Sequence, residues 1–432
     1  MARCVVVLFT RDLRVHDNPA LAAAVERCDR VLPLFVLDDG MLRKGRAPNR
    51  VAFLLESLQD LRRSLEARGG GLAIRRGDVV AETVRLALEH DVEAVYVSED
   101  VTAYAQERER RLGHALAAAR IGLEMFPGVT VIPPGELAPA GSDHFRVFTP
   151  YWRRWRVEPR RPVVDAPERV AVPAGTDWGE LPARQQLVTG RSAPELPAGG
   201  EAAGRQRLDE WVGGGLAHYA HRRDDLAADA TSRLSPYLHF GCVSPGDVVA
   251  RSLDRDGGEE FVRQLCWRDF HHQLLAAKPE LAHTDLRPRD APWRDDAAAL
   301  DAWRNGGTGY PLVDAGMRQL LREGWMHNRA RLVVGSFLTK HLGIDWRAGA
   351  AYFFEHLVDG DVANNTGNWQ WVAGTGADSR PHRMLSPSRQ AQRFDPCGVY
   401  ARRYIPELGT PDYPDPIVGH EAAVARFRGA AA

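Results

Sequence analysis

The feature that most limits the fold is an alternation of short apolar runs with longer helical patterns over residues 1–132. The apolar runs predict strands at Cys4–Phe9, Val31–Val36, Leu72–Arg75, Ala94–Val97 and Leu123–Phe126. Helical patterns lie between them, for example Val51–Arg68 and Ala105–Ala119. Strands that are apolar throughout and separated by helices form parallel sheets covered on both faces. We therefore predict a Rossmann-like α/β domain with a five-stranded parallel sheet.

The turn after the first strand narrows the ligand class of this domain. Parallel sheets bind ligands at the carboxyl ends of their strands. The first strand, however, is followed by TRDLRVHDNPAL and not by a Gly-x-Gly-x-x-Gly turn. A nicotinamide-dinucleotide site is therefore not expected here.

The remainder of the chain divides into a connector and a helical domain. Pro, Gly, Ala and Arg become frequent and periodicity fades after Pro127, which predicts a connector with local turns over residues 133–204. From residue 205 to residue 432 the patterns are almost all helical, and eight of the 11 tryptophans lie there. We predict an all-α domain for this part.

Charge and cysteine content exclude several classes of protein. The 56 Lys and Arg residues balance 57 Asp and Glu residues, so nucleic acid is not bound through bulk charge, although a local basic patch remains open. The five cysteines form no CxxC pair, which favours reduced thiols over a disulfide framework or a zinc site. Without a leader or a long apolar segment, we expect a cytoplasmic protein with no membrane contact and no metal.

Two helical segments combine aromatic, amide and guanidinium side chains. On a helix, Gln264, Trp267, Arg268 and His271 share one stripe. Such a stripe suits recognition of a planar base, or it belongs to a half-buried helix whose tryptophan packs in the core. In GWMHNRARL, Arg329 and Arg331 fit either phosphate binding or buried ion pairs.

Two further segments have the composition of ligand-binding turns. In LVDGDVANNTGNWQWVAGTG the calcium loop pattern fails, because Ala363, Asn364 and Gln370 replace required residues. This segment is suited to gripping a hydroxyl-rich cofactor, or it is ordinary turn chemistry. The hydroxyls of TSRLSPYLHFG fit a phosphate cradle or a simple helix cap. Since neither G-x-S-x-G nor HExxH occurs, the chemistry is expected to come from a cofactor.

Six motifs in order span nearly the whole chain: FTRDLRVHDNPAL, TSRLSPYLHFG, QLCWRDF, GTGYPLVDAGMRQL, GWMHNRAR and DGDVANNTGNWQWVAGTG. Together they resemble the photolyase/cryptochrome family, and specifically its class I cyclobutane pyrimidine dimer photolyases. The resemblance implies a helical domain that holds one FAD. It also implies light-driven repair of UV-damaged DNA by electron transfer from excited reduced FAD to a flipped-out dimer. A monomer without an obligate protein partner is expected.

The resemblance also implies roles for individual residues. Those expected to contact FAD are Tyr219, Thr231, Ser232, Arg233, Leu234, Ser235, Arg331, Asp359, Asp361 and Asn365. Asn365 is expected at the flavin N5 edge, and an electron relay is expected through Trp293, Trp346 and Trp369. Those expected to contact damaged DNA are Arg223, Gln264, Trp267, Arg268, Asn328, Arg329, Trp371 and Gln390.

Some positions leave alternatives open. The resemblance places an antenna chromophore near Arg11, Asp100 and Arg108, with 8-hydroxy-5-deazaflavin favoured over methenyltetrahydrofolate or none. Gln264 is similar to the residue of (6-4) photolyases, but Asn328 and Leu332 replace the two histidines those enzymes use. The loop at residues 381–386 is shorter than in the family, which alters the expected rim of the DNA site. A cryptochrome-type blue-light receptor is the other alternative.

Overall fold

The computed structural model describes residues 3–42, 47–289, 292–377 and 383–429. Five strands form one parallel sheet in the order β3-β2-β1-β4-β5. They are β1 Cys4–Leu8, β2 Arg30–Asp38, β3 Ala73–Gly77, β4 Ala94–Ser98 and β5 Gly122–Phe126. The predicted fold class is confirmed, and the strand bounds differ from the predicted ones by only one or two residues.

Helices cover both faces of the sheet. They are α1 Pro19–Arg27, α2 Asp39–Leu42, α3 Pro48–Glu66, α4 Val79–Glu89 and α5 Ala103–Ala118. Alternate residues of β1 point to opposite faces, as strand geometry requires. Val6 and Leu8 pack in the core with α4 and α5, whereas Val5 and Val7 pack in the core with α1, α3 and the second half of the chain.

The second half of the chain is helical. Its helices are α7 Glu201–Glu210, α8 Tyr219–Arg222, α9 Ser235–Phe240, α10 Pro245–Ser252, α11 Gly258–Ala277, α12 Ala297–Arg304, α13 Pro311–Glu323, α14 Asn328–Ser336, α15 Trp346–His356, α16 Val362–Ala373, α17 Pro387–Phe394, α18 Val399–Tyr404 and α19 His420–Gly429. A π-helical turn, Phe337–Leu342, follows α14. Among the described residues, no helix is long and apolar enough to cross a membrane.

The connector contains a helix that the sequence analysis did not predict, α6 (Phe148–Trp155). Its buried residues Phe148, Tyr151, Trp152 and Trp155 follow the i, i+3, i+4, i+7 spacing of one helix face. The intervening Arg153 and Arg154 are exposed. The connector is therefore anchored by an amphipathic helix. The division at 1–132, 133–204 and 205–432 stays a prediction, and α7 runs across the second of these boundaries.

Buried polar contacts fix the two halves against each other. The guanidinium of Arg14, 1% exposed, donates to the carbonyls of Gly241 and Gly128 at 2.9 and 3.2 Å. Asp269 of α11 accepts from the backbone N–H of Val131 and from the indole of Trp155 at 3.0 and 2.9 Å. Burial raises the pKa of Asp269 to about 6. These contacts make the placement of α11 depend on both halves and on the connector.

Candidate functional site

A cavity of about 790 Å³, counting its open mouth, lies between α14, α15 and α16. We call it the amide cavity, because four asparagines line it. Its polar lining residues are Ser235, Asn328, Arg331, Asp359, Asp361, Asn364, Asn365 and Asn368. Its apolar walls include Trp325, Phe353 and Trp369. Seven residues that the sequence analysis placed at a cofactor, an electron relay or DNA thus meet in one cavity: Ser235, Asn328, Arg331, Asp359, Asp361, Asn365 and Trp369.

Helix α16 supplies one whole side of the amide cavity. Asp361 caps its first turn by accepting the N–H of Asn364 at 2.8 Å. The side-chain amide of Asn365 donates to the carbonyl of Ala350 at 2.9 Å, which fixes its orientation. Gly349 of α15 makes room for Trp369, because a Cβ there would lie 2.2 Å from the indole. The glycine therefore lets the two helices approach closely enough to hold this tryptophan.

An arginine and a carboxylate form an ion pair in the wall of the amide cavity. Arg331 donates to Asp359 Oδ2 and to the carbonyl of Met326, both at 2.8 Å. Asp359 Oδ1 is buried, and no described residue donates to it. A buried carboxylate oxygen without a donor is costly, so this atom is suited to a ligand that presents a hydroxyl or N–H group.

The segment before α9 is tied to the cavity wall. The indole of Trp325 donates to Ser235 Oγ at 3.1 Å, and the Arg233 guanidinium lies 4.2 Å from the Trp325 ring centre. Arg233 is also held by Glu323 and Asp229. The Thr231 hydroxyl is buried without a partner among the described residues, whereas the Ser232 hydroxyl accepts the N–H of Leu234 at 3.3 Å. The backbone carbonyls of both residues accept from Arg207.

Two expected cofactor residues serve mainly in packing. Leu234 is 1% exposed and lies in the hydrophobic core. Tyr219 packs its ring edge-on against Trp211 and Phe261, at centroid distances of 5.7 and 5.4 Å. Burial raises the pKa of Tyr219 to about 12. Neither residue lines the amide cavity.

The three tryptophans of the expected relay differ in burial. Trp369 and Trp346 are 4% and 1% exposed, and both belong to the core of the helical half. Trp293 is half-buried, packs against the same core and carries Arg289 4.2 Å from its ring centre. The indole of Trp346 donates to Asp285 at 2.7 Å. Of the three, Trp369 and Trp346 are thus buried and Trp293 is partly exposed.

A second cavity, of about 440 Å³ when the open space at its mouth is counted, lies on the other side of α16. We call it the tryptophan cavity, because Trp267 and Trp371 line it together. Trp267 stacks on Phe148 of α6 with a centroid distance of 3.6 Å and an interplanar angle of 5°. Phe148 was not among the predicted site residues. The i, i+3, i+4, i+7 spacing of aromatic residues in FTPYWRRW was the signal that could have found α6.

Four other residues expected at DNA line neither the amide cavity nor the tryptophan cavity. Gln264 is half-buried and donates to the carbonyl of Glu260 at 3.3 Å. Arg329 pairs with Asp224 at 2.8 Å, and Arg223 lies 5.9 Å from the Tyr219 ring centre. The side-chain oxygen of Gln390 is buried without a partner among the described residues. The expected change of the rim involves residues 381 and 382, which lie outside the described residues.

Arg268 departs from the predicted stripe. It is 9% exposed and donates to the carbonyls of Val129 and Leu238, at 2.5 and 3.3 Å. It lines neither the amide cavity nor the tryptophan cavity. The physical reason is that Arg268 is covered by the segment that follows β5 and by α9, and a backbone carbonyl of each requires a donor. The sequence pattern alone could not show on which side this helix would be covered.

A third cavity, of about 720 Å³, opens at the carboxyl ends of β4 and β5. We call it the acidic cavity, because Glu99, Asp100 and Glu109 line it. Burial raises the pKa of Glu109 to about 7, although Arg108 pairs with it at 3.0 Å. Of the expected antenna residues only Asp100 lines this cavity, since the side chain of Arg11 is bonded to Asp100 and Asp361.

Comparison with known proteins decides the family. The family described as DNA photolyase matches residues 5–171, and the FAD binding domain of DNA photolyase matches residues 261–412. A deoxyribodipyrimidine photo-lyase of Streptomyces griseus is 50% identical over 446 residues, covering 98% of each chain. The chain belongs to the photolyase/cryptochrome family. The predicted family and the predicted enzyme type, deoxyribodipyrimidine photo-lyase, are thereby confirmed.

Solved structures of the photolyase/cryptochrome family share the whole fold. A class III photolyase of Agrobacterium tumefaciens has a TM-score of 0.92 and 33% identity, covering 100% of this chain and 97% of that one. A cryptochrome of Synechocystis has a TM-score of 0.91 and 30% identity, covering 99% of both chains. Proteins named photolyase and cryptochrome are thus similar to this chain to the same degree in fold.

The amide cavity fits the flavin dinucleotide that this family's FAD-binding domain implies. Four asparagines, an arginine and the donor-free oxygen of Asp359 offer complementary partners for a ribityl chain, a pyrimidine edge and phosphates. Trp369 and Phe353 offer apolar surface for a planar ring system. Among the described residues, no group of three His, Cys, Asp or Glu side chains could hold a metal ion.

Proposed function

We propose that this chain repairs cyclobutane pyrimidine dimers in UV-damaged DNA in a light-dependent reaction, with one FAD in the amide cavity. The observation that supports this proposal most strongly is that the two cavities lie on opposite sides of α16. The asparagines and Trp369 face one cavity, and Trp371 faces the other together with Trp267. A cofactor and a base-sized substrate would then be separated by the thickness of one helix.

In this proposal the chain's own residues bind and orient. Arg331 and Asp359 hold the polar part of the flavin nucleotide, and the fixed amide of Asn365 lies at the edge of its ring. When bound, reduced FAD supplies the light-driven electron that splits the cyclobutane ring and is then recovered. Ser235 and Thr231 supply hydroxyl groups for the nucleotide portion. No protein nucleophile is required.

The tryptophan cavity supports binding of a flipped-out pyrimidine dimer. A dimer stacks poorly in the duplex, so extruding it costs less than extruding intact bases. Trp267 presents an aromatic surface whose orientation is fixed by the Phe148 stack at 3.6 Å. Trp371 forms a second aromatic wall. Gln264, which lies three residues before Trp267 on α11, is the proposed hydrogen-bonding amide for the dimer carbonyls, whereas Asn328 lines the amide cavity.

Backbone contacts with DNA are proposed for exposed or partly exposed polar groups of the helical half and of α6. Arg223, Arg329 and Gln390 are retained from the sequence, with Asp224 neutralising part of the charge of Arg329. Arg153 and Arg154 on α6 are added, since both are exposed and neither has a carboxylate within 4 Å among the described residues. Arg268 is not retained, because its guanidinium is occupied by backbone carbonyls.

The relay through Trp293, Trp346 and Trp369 remains part of the proposal. Its support is that Trp369 lines the amide cavity, Trp346 is buried in the same core, and Trp293 reaches the surface. Such a path would reload an oxidised flavin with electrons from solution.

An antenna chromophore is proposed for the acidic cavity. Its carboxylates accept hydrogen bonds, which suits the hydroxyl and ring N–H of 8-hydroxy-5-deazaflavin. A folate carries glutamate carboxylates of its own, which an acidic lining repels. We therefore favour the deazaflavin over methenyltetrahydrofolate, with Asp100 as the contact residue.

Binding in the dark tests the substrate class. Three matched duplexes, carrying a thymine dimer, a (6-4) photoproduct or no lesion, are titrated against the flavin-loaded protein. The proposal expects the thymine-dimer duplex to bind at least about tenfold more tightly than either other duplex. Tighter binding of the (6-4) photoproduct duplex would indicate that the (6-4) photoproduct, and not the cyclobutane dimer, is the substrate. Equal, weak binding of all three would favour the cryptochrome alternative.

A further inference from the structure

A single arginine connects the walls of the amide and acidic cavities. Arg11 follows β1, and all three nitrogens of its guanidinium are engaged. Nη1 donates to Asp100 at 3.1 Å, Nη2 to Asp361 at 2.5 Å, and Nε to the carbonyl of His239 at 3.1 Å. Asp100 lines the acidic cavity and Asp361 lines the amide cavity. The guanidinium therefore joins a carboxylate of one cavity to a carboxylate of the other.

The position of Arg11 in the sheet explains why it can reach both. In the strand order β3-β2-β1-β4-β5, the chain adds β2 and β3 on one side of β1 and then adds β4 and β5 on its other side. Arg11 and Asp100 follow these two strands, so they meet at the crevice where open α/β sheets usually bind a ligand. Here the helical half covers the crevice, and Asp361 supplies the second partner of Arg11.

Asp361 is more than a lining residue, because it begins α16. Its Oδ1 accepts the N–H and the side-chain amide of Asn364, both at 2.8 Å, while its Oδ2 accepts from Arg11. The side chains of Asn364, Asn365, Asn368 and Trp369 all reach the amide cavity from this helix. The placement of the first turn of α16 therefore depends on a residue of the α/β half.

The groups around Asp361 stabilise the ionised form of its carboxyl group. Burial opposes ionisation of Asp361, but His272 at 3.6 Å and Arg11 overcome that effect and hold its pKa well below the ordinary value. His239 lies 4.0 Å away, and burial together with Arg11 holds the pKa of this imidazole well below its ordinary value. Burial lowers the pKa of His272 to about 4, so Arg11 is the positive charge that directly contacts Asp361 near neutral pH.

We propose that Asp100 and Arg11 are positioning residues for the flavin site, acting through Asp361 and the start of α16. This inference rests on the proposed function of the amide cavity. Its consequence is that the two cavities are linked. A ligand that takes the hydrogen bonds of Asp100 in the acidic cavity changes flavin affinity, and the flavin changes that ligand's affinity by the same factor.

The test measures the Kd for FAD of the full-length apoprotein by flavin fluorescence. Asp100→Asn, which removes one charge outside the amide cavity, is expected to weaken FAD binding about fivefold or more. Glu99→Gln is the matched control, because Glu99 lines the same acidic cavity without contacting Arg11. Glu99→Gln should leave the Kd for FAD within about twofold of wild type, a smaller change than the one expected for Asp100→Asn.

A double-mutant cycle separates positioning from general stability. In an Arg11→Lys background, which keeps the charge but loses the forked geometry, Asp100→Asn should cause little further loss of FAD affinity. Additive losses, or an unchanged Kd for Asp100→Asn, would overturn the proposal. Failure of the wild-type protein to bind FAD at all would instead refute the proposed function. Thermal unfolding of each apoprotein confirms that the compared variants are folded.

Discussion

Trp369 and Trp371 stand two residues apart on α16 and line different cavities. Two residues correspond to a rotation of about 200° around a helix, so the two indoles leave α16 on nearly opposite sides. Trp369 lies with the asparagines and Arg331, and Trp371 lies with Trp267. The proposed roles differ accordingly, since one tryptophan would serve the cofactor and the other the substrate.

Trp369→Phe separates flavin reduction from repair. Phenylalanine keeps the packing against α15 but cannot be oxidised at an accessible potential. We expect photoreduction of the oxidised flavin to fall at least about tenfold, a cost of about 1.4 kcal/mol in barrier. Repair by chemically reduced enzyme should stay near wild type. Transient absorption measures the first, and single-turnover repair measures the second.

The control for this experiment is Trp211→Phe. Trp211 is buried in the other core, lines none of the three cavities, and its indole N–H has no partner among the described residues. It should change neither photoreduction nor repair. Loss of repair by pre-reduced Trp369→Phe would show that the residue holds the flavin or the fold instead of relaying electrons.

Phe148→Ala tests the stack behind Trp267. Removing the ring frees one face of Trp267, so its orientation toward the cavity is no longer fixed. We expect affinity for the dimer-containing duplex to fall by about 0.5–1.5 kcal/mol, the scale of an aromatic pair beyond its area burial. Affinity for undamaged duplex should not change. Fluorescence anisotropy with both duplexes measures the difference, and an equal loss for both would contradict a role in the lesion pocket.

Arg153 and Arg154 are expected to bind phosphates and not the lesion. Replacing both by alanine should weaken binding of damaged and undamaged duplex alike and reduce the salt dependence of log K by about 2. The double variant Arg85→Ala and Arg110→Ala is the matched control, since both side chains are exposed but paired with carboxylates of their own helix. An unchanged salt slope in the α6 variant would remove this helix from the DNA interface.

His341 makes the helical half sensitive to acid. It is fully buried, and its Nε2 lies 3.3 Å from Nδ1 of His420 at the start of α19. Burial and the neighbouring His420 lower the pKa of His341 to about 4. Folding therefore disfavours its protonation. The contribution of the neutral His341 ring to the free energy of unfolding is fully present above about pH 6.5 and is lost as the pH falls toward 4.

His341→Leu should reduce this sensitivity. Because the pKa of His341 is lowered on folding, the free energy of unfolding of the wild-type protein should fall by about 2 kcal/mol on this account between pH 7.5 and pH 5. The variant lacks this group, so its free energy of unfolding should fall by about 2 kcal/mol less over the same range. Urea unfolding at the two pH values measures it. His272 and His327, whose pKa values burial also lowers to about 4, keep part of the acid sensitivity in the variant. Identical losses in both proteins would contradict the assignment to His341.

The sequence predicted the parallel sheet for a local reason, since strands such as Val5–Leu8 are apolar throughout. Asp361, Asn365 and Trp369 were expected from the family resemblance and lie together on α16 or at its cap, whereas Asn364 and Asn368 of the same helix were not named. Phe148 was missed, and the contact of Arg268 with the carbonyl of Val129 was not foreseen, because in each case the partner lies more than 100 residues away in the chain. The partner of Arg11 is likewise 350 residues distant, so no periodicity could indicate it.

The most direct test of the central claim is repair of a defined lesion under blue light. A thymine-dimer oligonucleotide is incubated with flavin-loaded, reduced protein, and restored thymines are counted by chromatography in light and in darkness. The proposed function predicts restoration in light, none in darkness, and none of a (6-4) photoproduct under the same light. Failure to restore thymines from the dimer in light, with flavin bound and reduced, would contradict it.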